Sequence, residues 1–134
     1  MFLLGLLLIV VGVAGYLYYK YQQEQKEYVE FSKEYNLTTS ELSAYDGIKN
    51  KRIFVGVKGD IFDVSTSSFY TPGGSYHIFA GKDASASLAK GDLEGKFLNK
   101  PYDDLNEEET QTLDEWYERF LGKYRRVGKV QSSK

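Results

Sequence analysis

A small α+β domain behind a single membrane-spanning helix is the architecture this sequence predicts, on three observations. An uncharged apolar run, FLLGLLLIVVGVAGYLYY, occupies residues 2–19. Two short segments of alternating apolar residues, RIFVGV and DIFDV, flank Lys58-Gly59, which is the pattern of a β-hairpin. A long amphipathic segment near the C-terminus begins at Asn106, has Glu109 three residues on and stops at Gly122, as a capped helix does.

The apolar run comes first. As a helix it would rise about 1.5 Å per residue and span roughly 27 Å, close to the thickness of a hydrocarbon core. Tyr16, Tyr18, Tyr19 and Tyr21 gather at one end, where amphipathic rings meet lipid headgroups. A cleaved signal peptide needs a positively charged start and a small-x-small cleavage site. The run has neither in good form, so residues 2–21 are expected to be a retained single-pass anchor. Lys20 follows the run and biases the C-terminal domain toward the cytosol. Asn36-Leu37-Thr38 is a glycosylation sequon that would be usable only in a lumen, and so reports topology. Residues 22–35, QQEQKEYVEFSKEY, are good helix formers with Tyr28, Phe31 and Tyr35 at spacings of three and four. They are expected to continue the anchor as a stalk or to pack as a short helix on the domain.

The domain proper is placed at residues 36–130. Thr38 and Glu41 form a capping-box pair, and the short helix it starts should run through Leu42 and Tyr45 to Asp46-Gly47. The hairpin follows, with Ile53, Val55 and Val57 on one face, Phe54 and Gly56 on the other, and Gly59 supplying a positive φ at the turn. Residues 65–75, STSSFYTPGGS, read as a loop broken by Pro72-Gly73-Gly74. Residues 76–79 suit one helical turn, and Asp83 can cap a second short helix that ends near Gly91. Residues 95–104 are a linker containing Pro101. The long helix then presents Leu113, Trp116, Phe120 and Leu121 as its apolar stripe, with Leu113, Trp116 and Phe120 expected in the core. Residues 123–130, KYRRVGKV, should return as an edge strand. Residues 131–134 are expected to be a flexible tail.

Composition excludes several functions. The chain has no cysteine, so disulfides, thiolate ligation and iron–sulfur clusters are out. Its net charge is -2 with both signs interleaved, which gives no nucleic-acid footprint. No nucleophile-base pair, phosphate-binding glycine loop or HExxH motif is present, and the chain is not expected to be an enzyme. The outlier is tyrosine, at 12 copies against one histidine.

Several segments in order carry a resemblance: LTTSEL at 37–42, YDG at 45–47, IFVGVKGDIFDV at 53–64, FYTPGGSYHIFAGKDASASLA at 69–89, YDDL at 102–105 and TLDEWYERFLGKYRRVGK at 112–129. Together they resemble the membrane-associated progesterone receptor component family, a branch of the cytochrome b5-like haem/steroid-binding fold. The resemblance implies a membrane-anchored protein binding ferric haem b, with one tyrosine as axial iron ligand. Matched along the motif, that metal ligand falls on Tyr76. The family's other pocket residues fall on Tyr70, Lys123 and Tyr124. It further implies an endoplasmic-reticulum location, support of cytochrome P450 enzymes of sterol metabolism or haem handling, and a haem-mediated homodimer. The sequence departs from the family in two places. The loop between Asp63 and Phe69 is one residue shorter and lacks basic residues, which bears on a propionate contact. His77 follows the ligand tyrosine, which bears on the identity and number of axial ligands.

The residues support part of this without the family. A bis-histidine b5 site needs two imidazoles, and only His77 is present. A phenol has a pKa near 10 when free, but a ferric ion can displace its proton and bind the phenolate, which favours Fe(III). An ammonium at Lys123 would favour the anionic form, and Tyr70 and Tyr124 can donate hydrogen bonds to a propionate or to the ligating oxygen. Two other readings stay open at this point: a sterol- or hydrophobic-ligand-binding module without iron, and a protein-interaction adaptor with a tyrosine-rich rim.

Overall fold

The computed structural model describes residues 2–132, the side chains of 28–32 excepted. Ser133 and Lys134 of the expected tail, and the Tyr28 and Phe31 side chains of the expected stalk, lie outside the described residues. The chain forms two compact units, one up to Lys33 and one from Glu34 onward.

The first unit is helix α1, Phe2–Ser32. Neither proline nor a cap interrupts it, so the apolar run and the polar residues after it form one helix. Its span Phe2–Glu27 is long and apolar enough to cross a membrane.

In the second unit the Thr38–Glu41 capping box forms with both reciprocal hydrogen bonds and starts α2, Thr39–Leu42. The hairpin pairs β2, Phe54–Val57, with β3, Asp60–Asp63, in antiparallel register. Lys58 joins Gly59 in positive φ, at 52° and 82°. Both central residues therefore take the left-handed conformation of a type I′ turn, whose twist matches that of the strands. The expected alternation holds on both faces. Ile53, Val55, Val57, Phe62 and Val64 enter one core cluster with Tyr70, Phe79, Leu88, Leu113 and Phe120. Phe54 and Ile61 enter a second with Tyr35, Leu42 and Val127.

Two expectations are corrected here. Tyr35 does not end a stalk helix but opens β1, Tyr35–Leu37, because its ring is buried edge-on against Tyr45 and Phe54, with centroids 5.8 and 5.0 Å away. β1 pairs in parallel with β4, Arg125–Val130. The strand order β1-β4-β3-β2 therefore puts β4 inside the sheet, not at its edge. Gly128 permits this pairing, since a Cβ there would overlap the Tyr35 carbonyl. Gln131, where the tail was expected to begin, still donates its N–H to Leu37 O at 2.7 Å.

The helices cover the larger core. α3, Ser85–Ala89, carries four small residues and Leu88, and is wholly buried. Asp83 reaches it from one residue further out than expected. The N-cap position is Ala84, and the Asp83 carboxylate accepts from Ser85 N at 3.1 Å and Ser85 Oγ at 2.6 Å. α4, Glu107–Lys123, has the Asn106–Glu109 capping box and packs on α3. Leu113 and Phe120 are buried, whereas Leu121 is 44% exposed. One residue past Phe120 turns about 100° round the helix, and the stripe continues through Lys123 instead.

Candidate functional site

The loop after β3 is shaped by local hydrogen bonds. Asp63 Oδ1 accepts from Ser65 N at 2.9 Å, and Tyr70 N donates to Ser67 O at 3.2 Å. Thr71-Pro72-Gly73-Gly74 closes with Gly74 N to Thr71 O at 2.8 Å, and Gly73 has φ 87°. This is a type II turn with proline and glycine at the two positions that require them. A Cβ on Gly74 would run into the Ser68 and Phe69 carbonyls, so only glycine lets the loop fold back this tightly. Tyr76 N then donates to Phe69 O at 2.8 Å, which sets Tyr70 and Tyr76 side by side with ring centroids 5.9 Å apart.

α4 supplies the facing wall. Trp116, Arg119, Phe120 and Lys123 recur at i, i+3, i+4 and i+7 and so share one helix face. With Tyr124 they meet Phe69, Tyr70 and Tyr76 around one recess of about 120 Å³. All four residues expected at a site, Tyr70, Tyr76, Lys123 and Tyr124, are thus brought together. Phe69, Trp116, Arg119 and Phe120 were not expected in it. The i+3/i+4 spacing from Trp116 was the available signal for Arg119, and adjacency to Tyr70 for Phe69.

The recess has an apolar floor and a cationic rim. Phe120 is buried, with ring centroids 6.2 Å from Tyr70, 6.5 Å from Trp116 and 5.3 Å from Tyr124. Lys123 Nζ stands 5.5 Å from the Phe69 and Tyr124 ring centroids, and the Arg119 guanidinium lies 5.0 Å from the Trp116 ring. Tyr70 is 4% exposed. Burial raises its pKa far above the usual phenol range, and negative charge on Tyr124 or Tyr76 would raise it further. Tyr70 is therefore held as a neutral phenol, able to donate one hydrogen bond. The Tyr124 hydroxyl lies 3.4 Å from Ser67 Oγ.

His77 stands elsewhere. Its Nε2 is 2.9 Å from the Asp46 carbonyl oxygen, and it is not among the residues lining the recess. Among the described residues no group of three or more His, Cys, Asp or Glu side chains could hold a metal ion. A larger cleft of about 510 Å³, bordered by Gly59, Asp83, Asn99, Tyr102 and Val130, contains none of the expected residues.

The recess suits the group that the resemblance implies. It offers phenols as oxygen donors for a ferric ion, aromatic faces for a flat macrocycle, and two cations for carboxylates at its edge. Its volume is well below the roughly 300–1,000 Å³ of an enclosing ligand pocket, so a flat molecule would be seated on one side and left open on the other.

Comparison with known proteins gives the family. Residues 38–131 match the model of the cytochrome b5-like haem/steroid binding domain. The cytochrome P450 regulator dap1 of Schizosaccharomyces pombe is 40% identical over 101 residues, covering 69% of this chain and 61% of that protein. Human membrane-associated progesterone receptor component 2 is 41% identical over 102 residues, covering 73% and 46%. The chain thus spans about half the length of these relatives, whose names are those of a regulator and a receptor component, not of enzymes. A solution structure described as that of a candidate steroid-binding protein from Arabidopsis superposes with a TM-score of 0.65 at 40% identity, covering 72% of this chain and 97% of that one. The match covers nearly the whole of that solved chain, so that relative is a folded domain with no room for a counterpart of helix α1.

Proposed function

The chain belongs to the cytochrome b5-like haem/steroid binding domain family, in its membrane-associated progesterone receptor component branch, and on that premise we propose that it is a membrane-anchored, non-catalytic protein that binds ferric haem b through the Tyr76 phenolate. The single observation carrying this reading is the convergence of Tyr70, Tyr76, Lys123 and Tyr124 on one aromatic recess from two segments that are far apart in sequence. Tyr76 holds the iron, and Tyr70, kept neutral by burial, donates a hydrogen bond toward the phenolate or a propionate. Lys123 and Arg119 meet the propionates, and Phe69, Trp116 and Phe120 exclude water from the seated face. When bound, haem supplies an iron whose ferric state an anionic oxygen stabilises.

Helix α1 anchors the domain in the endoplasmic reticulum membrane with its soluble unit in the cytosol, where tethering raises the effective concentration of membrane-bound partners. The partners are cytochrome P450 enzymes of sterol metabolism, in line with the name of the fission-yeast relative. A second copy can stack on the open face of the seated haem to form a homodimer.

A second reading is favoured by the steroid-binding names of the family and of the Arabidopsis structure: the same recess takes a sterol in place of haem. Titration of the full chain in detergent micelles with ferric haem separates the two. Saturable one-to-one binding with a high-spin charge-transfer band in the red, lost in Tyr76→Phe, supports haem. A folded wild-type protein that stays colourless moves the sterol reading to first place.

A further inference from the structure

Resting on the tyrosine-ligated reading above, we infer that His77 is a positioning residue: its imidazole latches the segment carrying Tyr76 to the Asp46–Gly47 turn, and so aims the Tyr76 phenol without itself binding iron. The backbone of Tyr76 is fixed by two hydrogen bonds, Tyr76 N to Phe69 O at 2.8 Å and Phe79 N to Tyr76 O at 3.0 Å. The 3-10 turn that follows it has three residues, His77–Phe79, and Tyr76 makes no side-chain capping bond there. Its ring packs against those of Phe69, Tyr70 and Phe79, with centroids 5.6, 5.9 and 6.0 Å away. A further directional restraint comes from the side chain of the next residue, whose Nε2 lies 2.9 Å from Asp46 O. A carbonyl can only accept, so Nε2 carries the proton, and what keeps the ring from the iron is its place outside the residues lining the recess.

The far end of the latch is rigid. The Asp46 carboxylate accepts from Ile48 N and Lys49 N, each at 2.9 Å. Burial pushes the Asp46 pKa up, but the Lys49 and Ile48 amides, with the Lys49 charge and the backbone of Asp46 itself, hold it below the usual carboxylate range. Asp46 forms an isolated antiparallel bridge with Ile53, and Phe54 N donates to Tyr45 O at 3.0 Å, so the turn is tied to β2. The same turn abuts the loop before Tyr76. A Cβ built on Gly47 would stand 2.9 Å from Ile53 Cδ1 and 3.3 Å from Pro72 Cδ. The turn therefore lies close beside Pro72, with no room for a larger residue at Gly47, and is joined to the segment carrying Tyr76 by the hydrogen bond at His77. A ligand oxygen must be held within fractions of an ångström to keep its bond direction, and His77 supplies that restraint.

The test compares wild type, His77→Ala and His77→Gln in the full chain held in detergent micelles. Glutamine places an amide N–H at about the reach of Nε2. In the haem-free proteins, amide hydrogen exchange at Tyr76, His77 and Phe79 should quicken in the alanine variant and return toward wild type in the glutamine variant. In the haem-loaded proteins, transfer of haem to an excess of apomyoglobin should be about tenfold faster for alanine, the scale set by one lost hydrogen bond, with a shifted charge-transfer band, and glutamine should lie within about twofold of wild type on the same scale. Urea unfolding of the haem-free proteins shows whether a general loss of stability accounts for the change. Equal exchange and equal haem loss in His77→Ala and wild type overturn the inference, as does a glutamine variant as impaired as alanine. Haem binding that survives Tyr76→Phe but vanishes in His77→Ala overturns it and the ligand assignment together. Exchange that quickens in His77→Ala when no variant binds haem leaves the latch standing and removes only the haem reading.

Discussion

Replacing Phe120 by alanine tests the packing that joins the fold to the recess. Phe120 is 2% exposed and sits between the sheet and the recess, 5.3 Å from the Phe62 ring centroid on one side and 5.3 Å from Tyr124 on the other. Truncating a buried phenylalanine costs about 3–5 kcal/mol, the transfer term plus the cavity left behind. A domain of this size holds only about 5–15 kcal/mol in total, so the variant should lose at least about a fifth of its stability and, at the low end of that range, all of it. At about 4–8 °C per kcal/mol for a domain near this size, the melting temperature should fall by more than about 12 °C. Urea unfolding of wild type, Phe120→Leu and Phe120→Ala, followed by circular dichroism, measures the series. Leucine should lie between the other two, with an unchanged m-value. A loss below about 1 kcal/mol for alanine would refute the reasoning, because it would mean that the helix face can collapse into the space.

Gly128→Ala should detach β1, since the new methyl meets the backbone of Tyr35 and not a yielding side chain. Amide exchange at Leu37 and Lys129 should then quicken, and unchanged exchange would contradict the parallel pairing. Stability should fall with rising pH above about pH 10. Tyr70 and Tyr102 are raised chiefly by burial and Tyr117 chiefly by its hydrogen bond to Asp60. Between the unfolded and folded pKa values the unfolded chain has lost protons that the folded one keeps, so the slope of unfolding free energy is negative there and absent below. A urea midpoint that stays level through that range would count against it. The full-length chain expressed in eukaryotic cells should remain in the membrane pellet after alkaline carbonate extraction and carry no glycan at Asn36, an exposed residue of β1. A species trimmed by endoglycosidase H would place the domain in the lumen.

What the sequence made legible was local. Both capping boxes, the hairpin and the long helix follow from residues within four positions of one another, and the structure forms them. The recess was legible for a different reason: its ligand loop and the Lys-Tyr pair carry a motif, and hydrogen bonds inside the loop shape most of it. What the sequence concealed depends on distant partners. β1 is three residues long and pairs with a strand more than ninety positions on, at Gly128 to Val130, so no periodicity could announce it. Leu121 belonged to the apolar stripe by hydropathy but not by angle, whereas Arg119 and Lys123 lie on the recess face despite their charge. His77 invited a reading as a ligand because it neighbours Tyr76. Its partner is a backbone carbonyl 31 positions away, and side-chain identity carries no information about such an acceptor.

The central claim is that a phenolate of Tyr76 holds ferric iron. Resonance Raman spectra of the ferric haem complex, excited in the charge-transfer band, test it most directly. Enhanced tyrosinate ring modes should appear, shift when the protein is made with ring-deuterated tyrosine, and vanish in Tyr76→Phe but persist in Tyr70→Phe and Tyr124→Phe. A spectrum of low-spin haem without tyrosinate modes, or modes that survive Tyr76→Phe, would contradict it.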